Sequence, residues 1–458
     1  MPIATVNPAT GELLQQFAAH SPEQVDQMLD RSVGAYQQLR AASFAQRAAW
    51  LRAAADLLDA DLERAAALAS TEMGKTIATA RYEVAKSANA MRWYAEHAES
   101  FLTPQEPVPP ASVNASAASV SFEPIGPILA VMPWNYPYWQ VIRFASPALM
   151  AGNTCLLKHS SNVPQTALLI EEIFTKAGFP QGSFQTLLVE SPDVARIVED
   201  RRVRAVTLTG STGAGRAVAS VAGQNLKKSV LELGGTDPFI VIASADVPAS
   251  VKAGVAARTQ NSGQSCIAGK RFFIHTDIYD EWFAAFVAEM AKTTYGDPFD
   301  ESVTFGPMAT AQIRDEAHQM VVDAVAHGAV LHTGGQLPDG PGFFYPATVL
   351  TGVSDEMQIA TAECFGPVAS VFRVASLDEA ISAANDSSFG LAASVWTTDP
   401  AEMDRLQDEL EVGSVFVNGT SASFFGLPFG GVKDSGYGRE LGEYGIREFV
   451  NVKTRWRA

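Results

Sequence analysis

The stretch Ile128-Leu129-Ala130-Val131-Met132 opens the pattern that decides the fold. Short apolar runs recur at Thr154–Leu157, Thr186–Val189 and Ala205–Leu208, with helix-like stretches between them. Strand alternating with helix in this way predicts a doubly wound parallel α/β sheet. A second alternating series begins near Phe239 and carries Cys266, which predicts a second α/β domain. The first hundred residues read as helices. Ser21-Pro22 has the form of an N-cap followed by proline at the first helical position. Ser43 and Gln46 have capping-box spacing, after which Leu51, Ala54 and Leu58 share one helical face. Ahead of the first apolar run, Ala118, Val120 and Phe122 alternate with Ser119 and Ser121. That is the pattern of a half-exposed strand, able to project as an arm.

A chain of 458 residues holds two or three domains and substantial cores. With 47% apolar and 18% charged residues it has the composition of a compact enzyme, not of a disordered chain. A formal net charge of −17 opposes binding to nucleic acid or to an anionic membrane. It also means that an anionic substrate must be drawn in by a local cation. Three cysteines make no disulfide framework and lack zinc-like spacing, so no metal site is expected and a reducing cytoplasm fits best. The N-terminus has neither a basic region nor an apolar core of signal-peptide type. The longest apolar region, around 124–157, is interrupted by prolines, Asn135, Gln140, Arg143 and Asn153, so no membrane span is expected.

Two residues suggest chemistry. Cys266, in Gln264-Ser265-Cys266-Ile267, lies 34 positions after Glu232 of Leu231-Glu232-Leu233-Gly234-Gly235. A thiol attacks as its thiolate, and a carboxylate is able to take a proton from a thiol or a water. Ser262-Gly263 points to a turn before the cysteine. Thr209-Gly210-Ser211-Thr212-Gly213-Ala214-Gly215 follows a strand-like run and opens a helix-like one. Glycines there allow backbone to approach a pyrophosphate at a helix N-terminus. At the end of another run stands Lys158-His159-Ser160-Ser161. A cation near an adenosine ribose accommodates the 2′-phosphate of NADP, where a carboxylate would favour NAD.

Together with Pro133-Trp134-Asn135-Tyr136-Pro137, Glu363-Cys364-Phe365-Gly366-Pro367 and Pro428-Phe429-Gly430-Gly431, these words resemble the aldehyde dehydrogenase superfamily. The resemblance runs from Asn7-Pro8-Ala9-Thr10-Gly11-Glu12 to the last twenty residues. It implies a Rossmann-type cofactor domain at 1–111 and 125–233 and an α/β catalytic domain at 234–433. Residues 112–124 and 434–458 would form a small β oligomerisation arm and the C-terminal segment. It makes Cys266 the nucleophile, Asn135 (with the Cys266 N–H) the oxyanion donor and Glu232 the residue that activates water. Pro133, Trp134, Lys158, Ser161, Gly210, Ser211, Leu233, Glu363 and Phe365 are the implied cofactor contacts. Family members that prefer NAD typically carry Glu at the Ser161 position, so NADP is expected, with NAD weaker. Gly213 stands where the family usually has an acidic residue. Asn135 has a second reading as a helix cap near Tyr136, and Glu363 as a surface carboxylate.

His159 and Thr236-Asp237-Pro238 resemble the bacterial succinate-semialdehyde dehydrogenase branch. That branch implies oxidation of succinic semialdehyde to succinate through a cysteine thiohemiacetal and thioester. Trp139, Arg143, Ser265 and Ser423 are the implied substrate contacts. Trp139 and Arg143, spaced i, i+4, share a helical face, and an arginine in this apolar stretch calls for a carboxylate. Substrate and protein are both open as its source. Ser423 is either a second carboxylate contact or a loop serine bonded to backbone. A broader or CoA-acylating aldehyde dehydrogenase is the alternative, and Glu232 disfavours the acylating type. A non-catalytic protein on the same fold ranks last, since Cys266 and Glu232 are both present. The expected partners are a small aldehyde and further copies of the chain, as a homodimer or dimer of dimers.

Overall fold

The computed structural model describes residues 2–458. Its first apolar run becomes the strand Pro127–Met132, buried along nearly its whole length at the centre of a six-stranded sheet. Thr154–His159 and then Phe184–Thr186 extend the sheet to one side, and Ala205–Thr209 and then Lys228–Glu232 extend it to the other. All these pairs are parallel. The chain therefore reverses its direction of winding between Pro127–Met132 and Ala205–Thr209. At such a switch point the loops leaving the two carboxyl ends diverge and open a crevice. Those loops are Pro133-Trp134-Asn135 and Gly210-Ser211.

The third strand differs from the expected Thr186–Val189. Leu187 N–H makes one more bond to Leu157 O at 2.7 Å, and Val189 N–H then turns back to Leu187 O at 3.0 Å. Leu187 and Val189 are apolar because they are buried with Leu156, Val194 and Val206, not because they continue the ladder.

A second sheet of seven strands has the order Val330–Thr333, Thr348–Thr351, Val368–Val374, Arg271–His275, Pro238–Val241, Ala392–Trp396, Ser414–Val417. It is parallel except at its first pair. Gly436–Tyr437 crosses back to lie antiparallel on Lys228–Glu232 of the first sheet. The helices Pro22–Ala41 and Phe44–Ala60 begin at Ser21 and Ser43, whose hydroxyls accept from Gln24 N–H and Gln46 N–H. Leu51, Ala54 and Leu58 are buried, as their spacing predicts.

Ala117–Pro124 forms the expected strand, paired antiparallel with Val450–Arg457 from Pro124 opposite Val450 to Ala117 opposite Arg457. Its burial does not follow the alternation. Ser121 is its buried residue, while Phe122 is half-buried beneath the Arg447 guanidinium, 4.4 Å from its ring centre. Among the described residues no helix is long and apolar enough to cross a membrane, and Cys155, Cys266 and Cys364 are all free.

Candidate active site

Cys266 owes its position to a strained turn. After the helix Val247–Thr259, Asn261, Ser262 and Gly263 are left-handed, with φ of 52°, 58° and 73°. Gly263 is required on space as well, since a Cβ there would lie 2.3 Å from Gly366 C. Two side chains of this region brace the turn. The buried Arg258 guanidinium donates to Gly263 O at 2.6 Å and Gly269 O at 3.1 Å. Asn261 Nδ2 donates to Asn135 O at 2.9 Å and Gln264 O at 3.2 Å.

That second brace joins the cysteine loop to the Pro133–Pro137 loop of the other sheet. Asn135 Nδ2 donates to Gln264 O at 3.1 Å, while Asn135 Oδ1 accepts from Gln140 Nε2 at 3.0 Å. With its oxygen held by Gln140, the amide presents its N–H donors to the cysteine loop. Asn135 does not cap a helix. The helix Trp139–Ala151 starts four residues later, and Glu83 Oε1 accepts its Tyr138 and Trp139 N–H groups at 2.8 and 3.0 Å. His159 fixes the same loop. Its Nδ1 accepts from Ser160 N–H at 3.0 Å, so Nε2 donates to Pro137 O, also at 3.0 Å.

Cys266 is half-buried and lies where two cavities meet. Burial pushes its thiol up to about 12, against the pull of Arg143 and Lys270. Lys270 Nζ donates to Cys266 O at 2.6 Å and Ser265 O at 3.0 Å, and pairs with Glu363 at 3.0 Å. The Glu232 carboxylate ends the strand Lys228–Glu232 and lines neither cavity. It lies against Gly430, where a Cβ would be 2.6 Å from its Oε1. Among the described residues neither of its oxygens has a hydrogen-bond partner. Burial first, then Glu440, holds it well above the usual carboxylate range.

The first cavity, about 450 Å³, fills the switch-point crevice. Pro133, Trp134, Gly210, Ser211, Leu233, Glu363 and Phe365 line it, along with Asn135 and Cys266. Ser211 caps the helix Thr212–Gln224 through Ala214 N–H at 3.3 Å, which brings a helix N-terminus to the wall. Trp134 and Phe365 meet edge to face with centroids 5.7 Å apart. A Cβ on Gly234 would lie 2.3 Å from Glu363 Oε2, so backbone and carboxylate are packed close there. Glu363 is thus a cavity residue and not a surface one. Lys158 and Ser161 lie outside this wall, at the end of the neighbouring strand, where Lys158 is in register with Val131. Lys158 is 7% exposed and no carboxylate lies within ion-pair distance of it among the described residues. It is not a surface lysine.

The second cavity, about 240 Å³, is lined by Tyr136, Trp139, Gln140, Arg143, Ser265, Cys266 and Ser423. Trp139 and Arg143 share the face that their spacing predicts. The carboxylate that faces Arg143, however, is the protein's own: the buried guanidinium is in ion-pair contact with Glu440. It also donates to Thr209 Oγ1 at 3.3 Å and stacks on Phe429. Ser423 Oγ accepts from Trp139 Nε1 and Lys86 Nζ, both at 3.0 Å, so it is bonded to side chains, not to backbone.

Cys266 thus lies between the switch-point crevice and a smaller cavity that holds Tyr136, Trp139 and Arg143. Residues 1–455 match the aldehyde dehydrogenase family. The chain belongs to that family.

It is 56% identical over 456 residues to an aldehyde dehydrogenase of Paenarthrobacter nicotinovorans, covering 100% of both chains. It is 54% identical over 456 residues to the succinate-semialdehyde dehydrogenase [NADP(+)] 1 of Mycobacterium tuberculosis, again covering 100% of both. The crystal structure of the Streptococcus pyogenes succinic semialdehyde dehydrogenase with NADP+ superimposes with a TM-score of 0.95 at 35% identity, covering 99% of each chain.

Sequence reasoning about this aldehyde dehydrogenase missed Lys86, Lys270, Gln140 and Glu440. Lys270 stands four residues after the cysteine and Gln140 stands in the helix that carries Trp139, so both were within reach. Lys86, on the helix Ile77–Leu102, and Glu440 carry no local signal. Among the described residues no group of three or more His, Cys, Asp or Glu is placed to hold a metal.

Proposed function

We propose that this aldehyde dehydrogenase oxidises succinic semialdehyde to succinate with NADP+. The observation that carries the reading is Cys266 at the junction of the two cavities, beside the Asn135 amide. The relatives named for succinic semialdehyde and NADP+ support the choice of substrate and cofactor.

The residues of the first cavity suit a dinucleotide: a helix N-terminus and Gly210-Ser211 for the pyrophosphate, Glu363 for a ribose, Trp134 and Phe365 as apolar walls. Lys158, with no carboxylate within ion-pair distance among the described residues, and the small hydroxyl of Ser161 suit the 2′-phosphate. When bound, the nicotinamide supplies the hydride acceptor.

In this reading Cys266 Sγ gives its proton to solvent water and bonds to the aldehyde carbon, and the carbonyl oxygen becomes an oxyanion held by Asn135 Nδ2 and the Cys266 N–H. Burial opposes the thiolate, whereas Arg143 and Lys270 favour it. Loss of hydride leaves a thioester on Cys266. Glu232, turning from Gly430 toward the cysteine, takes a proton from water; the hydroxyl bonds to the acyl carbon, the C–S bond breaks, and succinate leaves. Among the described residues no hydrogen bond to the carboxylate opposes that turn.

We further infer a division into cofactor residues 1–111 and 125–233, catalytic residues 234–433, and an arm of 112–124 with 434–458. The strand Val450–Arg457, exposed from Asn451 onward, offers an edge for pairing with a second copy, as a dimer or dimer of dimers. Three free thiols suit a reducing, cytoplasmic setting. The test is formation of NADPH from NADP+, or of NADH from NAD+, by the purified protein with succinic semialdehyde, butanal and glutaraldehyde. Succinic semialdehyde with NADP+ should give the highest kcat/KM, and a preference for either uncharged aldehyde would overturn the substrate assignment.

A further inference from the structure

An enzyme of net charge −17 repels an anionic substrate at long range, so its cavity must supply a cation whose charge is not already taken. Three cations approach the second cavity. Lys75 is in ion-pair contact with Glu83, and Arg143 with Glu440. Lys86 is the third. Among the described residues, no carboxylate lies within ion-pair distance of its Nζ. Its one hydrogen bond goes to a neutral acceptor, Ser423 Oγ at 3.0 Å. The ammonium also sits 4.2 Å from the Trp139 ring centre, which fixes it at the cavity wall without neutralising it.

The hydrogen bonding around Ser423 points the same way. Its oxygen accepts from both Lys86 Nζ and Trp139 Nε1, and among the described residues its own hydroxyl hydrogen has no acceptor. Ser423 is only 8% exposed. An ammonium keeps two further donors after one is used. The cluster therefore offers several donors and no acceptor, at a cavity that also reaches Cys266. A carboxylate, with two oxygens that only accept, is the ligand that such a cluster lacks.

We propose that Lys86, with the Ser423 hydroxyl, binds the carboxylate at the far end of the aldehyde substrate and is the residue that selects anionic aldehydes. The inference deepens the proposed function and rests on its substrate cavity. Arg143, already facing Glu440, instead contributes positive field at Cys266 and Glu232.

Lys86→Met keeps the length of the stem over Trp139 and removes only the charge; Lys86→Gln is the second neutral variant should Met disturb packing. Each variant is assayed with succinic semialdehyde and with butanal, and succinate is measured as a competitive inhibitor of butanal oxidation. Both neutral variants should lose about 10- to 100-fold in kcat/KM for succinic semialdehyde and raise the succinate inhibition constant by a similar factor. Butanal should change by less than about twofold, and Lys86→Arg should restore most of the loss for succinic semialdehyde. Equal losses with both aldehydes, or an unchanged succinate inhibition constant, would overturn the role of Lys86. A wild-type enzyme that prefers butanal would overturn the proposed substrate alone, because the succinate inhibition constants still report whether Lys86 binds a carboxylate.

Discussion

The two cavities that meet at Cys266 are built in opposite ways. The cofactor side is made of loops leaving adjacent parallel strands, so most of its wall comes from short segments set by sheet topology. The substrate side takes Lys86 from one helix, Trp139 and Arg143 from another, Ser265 and Cys266 from the strained turn, and Ser423 from a distant loop. Topology makes the first site; side-chain charge pairing makes the second. Substitutions on the two sides should therefore fail differently.

The sharpest break comes where the sides join. Cys266→Ala should abolish NADPH formation with every aldehyde while leaving NADP+ affinity within about twofold, because only the covalent step is lost. Titration of protein fluorescence with NADP+ measures the second part. Residual turnover near the wild-type rate would place the nucleophile elsewhere. Glu232→Gln comes next. It should slow thioester hydrolysis by about 100-fold or more and give a burst of roughly one NADPH per site before a slow steady state. A linear progress curve at the wild-type rate would remove Glu232 from the mechanism.

That order of effects follows how well each side could be read from sequence. Gly210-Ser211 and Pro133-Trp134-Asn135 were legible because a turn after a strand is local, and parallel pairing then places both turns at one switch point. Cys266 was legible through the glycine at 263, which its left-handed turn requires. The pairing of Arg143 was not, for its partner Glu440 lies almost 300 residues away and is paired backbone to backbone with Phe429, on which the guanidinium stacks. Lys86 was hidden for another reason. A lysine on a long helix reads as a solvated one, and only the packing of Trp139 and Ser423 around it leaves it without a counter-ion.

Cofactor choice sharpens the comparison on the first side. Ser161→Glu should place a carboxylate where the ribose phosphate is expected and shift the ratio of kcat/KM for NADP+ over NAD+ by at least about tenfold toward NAD+. Preference between succinic semialdehyde and butanal should not move, since Ser161 belongs to the other side. An unchanged cofactor ratio would remove Ser161 from the ribose.

The smallest effect isolates the second side by pH. Burial, then the neighbouring cation Arg143, brings Lys86 down to about 8, with Glu83 opposing and Lys75 adding to the fall. Trp139 and Ser423, which also face its ammonium, do not titrate in this range. The ammonium is charged below that value and neutral above it, whereas the substrate carboxylate stays ionised throughout. Carboxylate binding by Lys86 should therefore be present at neutral pH and lost as pH rises. Cys266 and Glu232 titrate as well, but they serve both aldehydes, so their contribution cancels in a ratio. The ratio of kcat/KM for succinic semialdehyde over butanal, which reports the free enzyme, should fall by up to about tenfold between about pH 7 and pH 9. Lys86→Arg should flatten the profile while keeping the ratio high, because a guanidinium does not deprotonate there. A falling ratio that persists in Lys86→Arg would assign the titration to another group and leave the anion selectivity to Arg143.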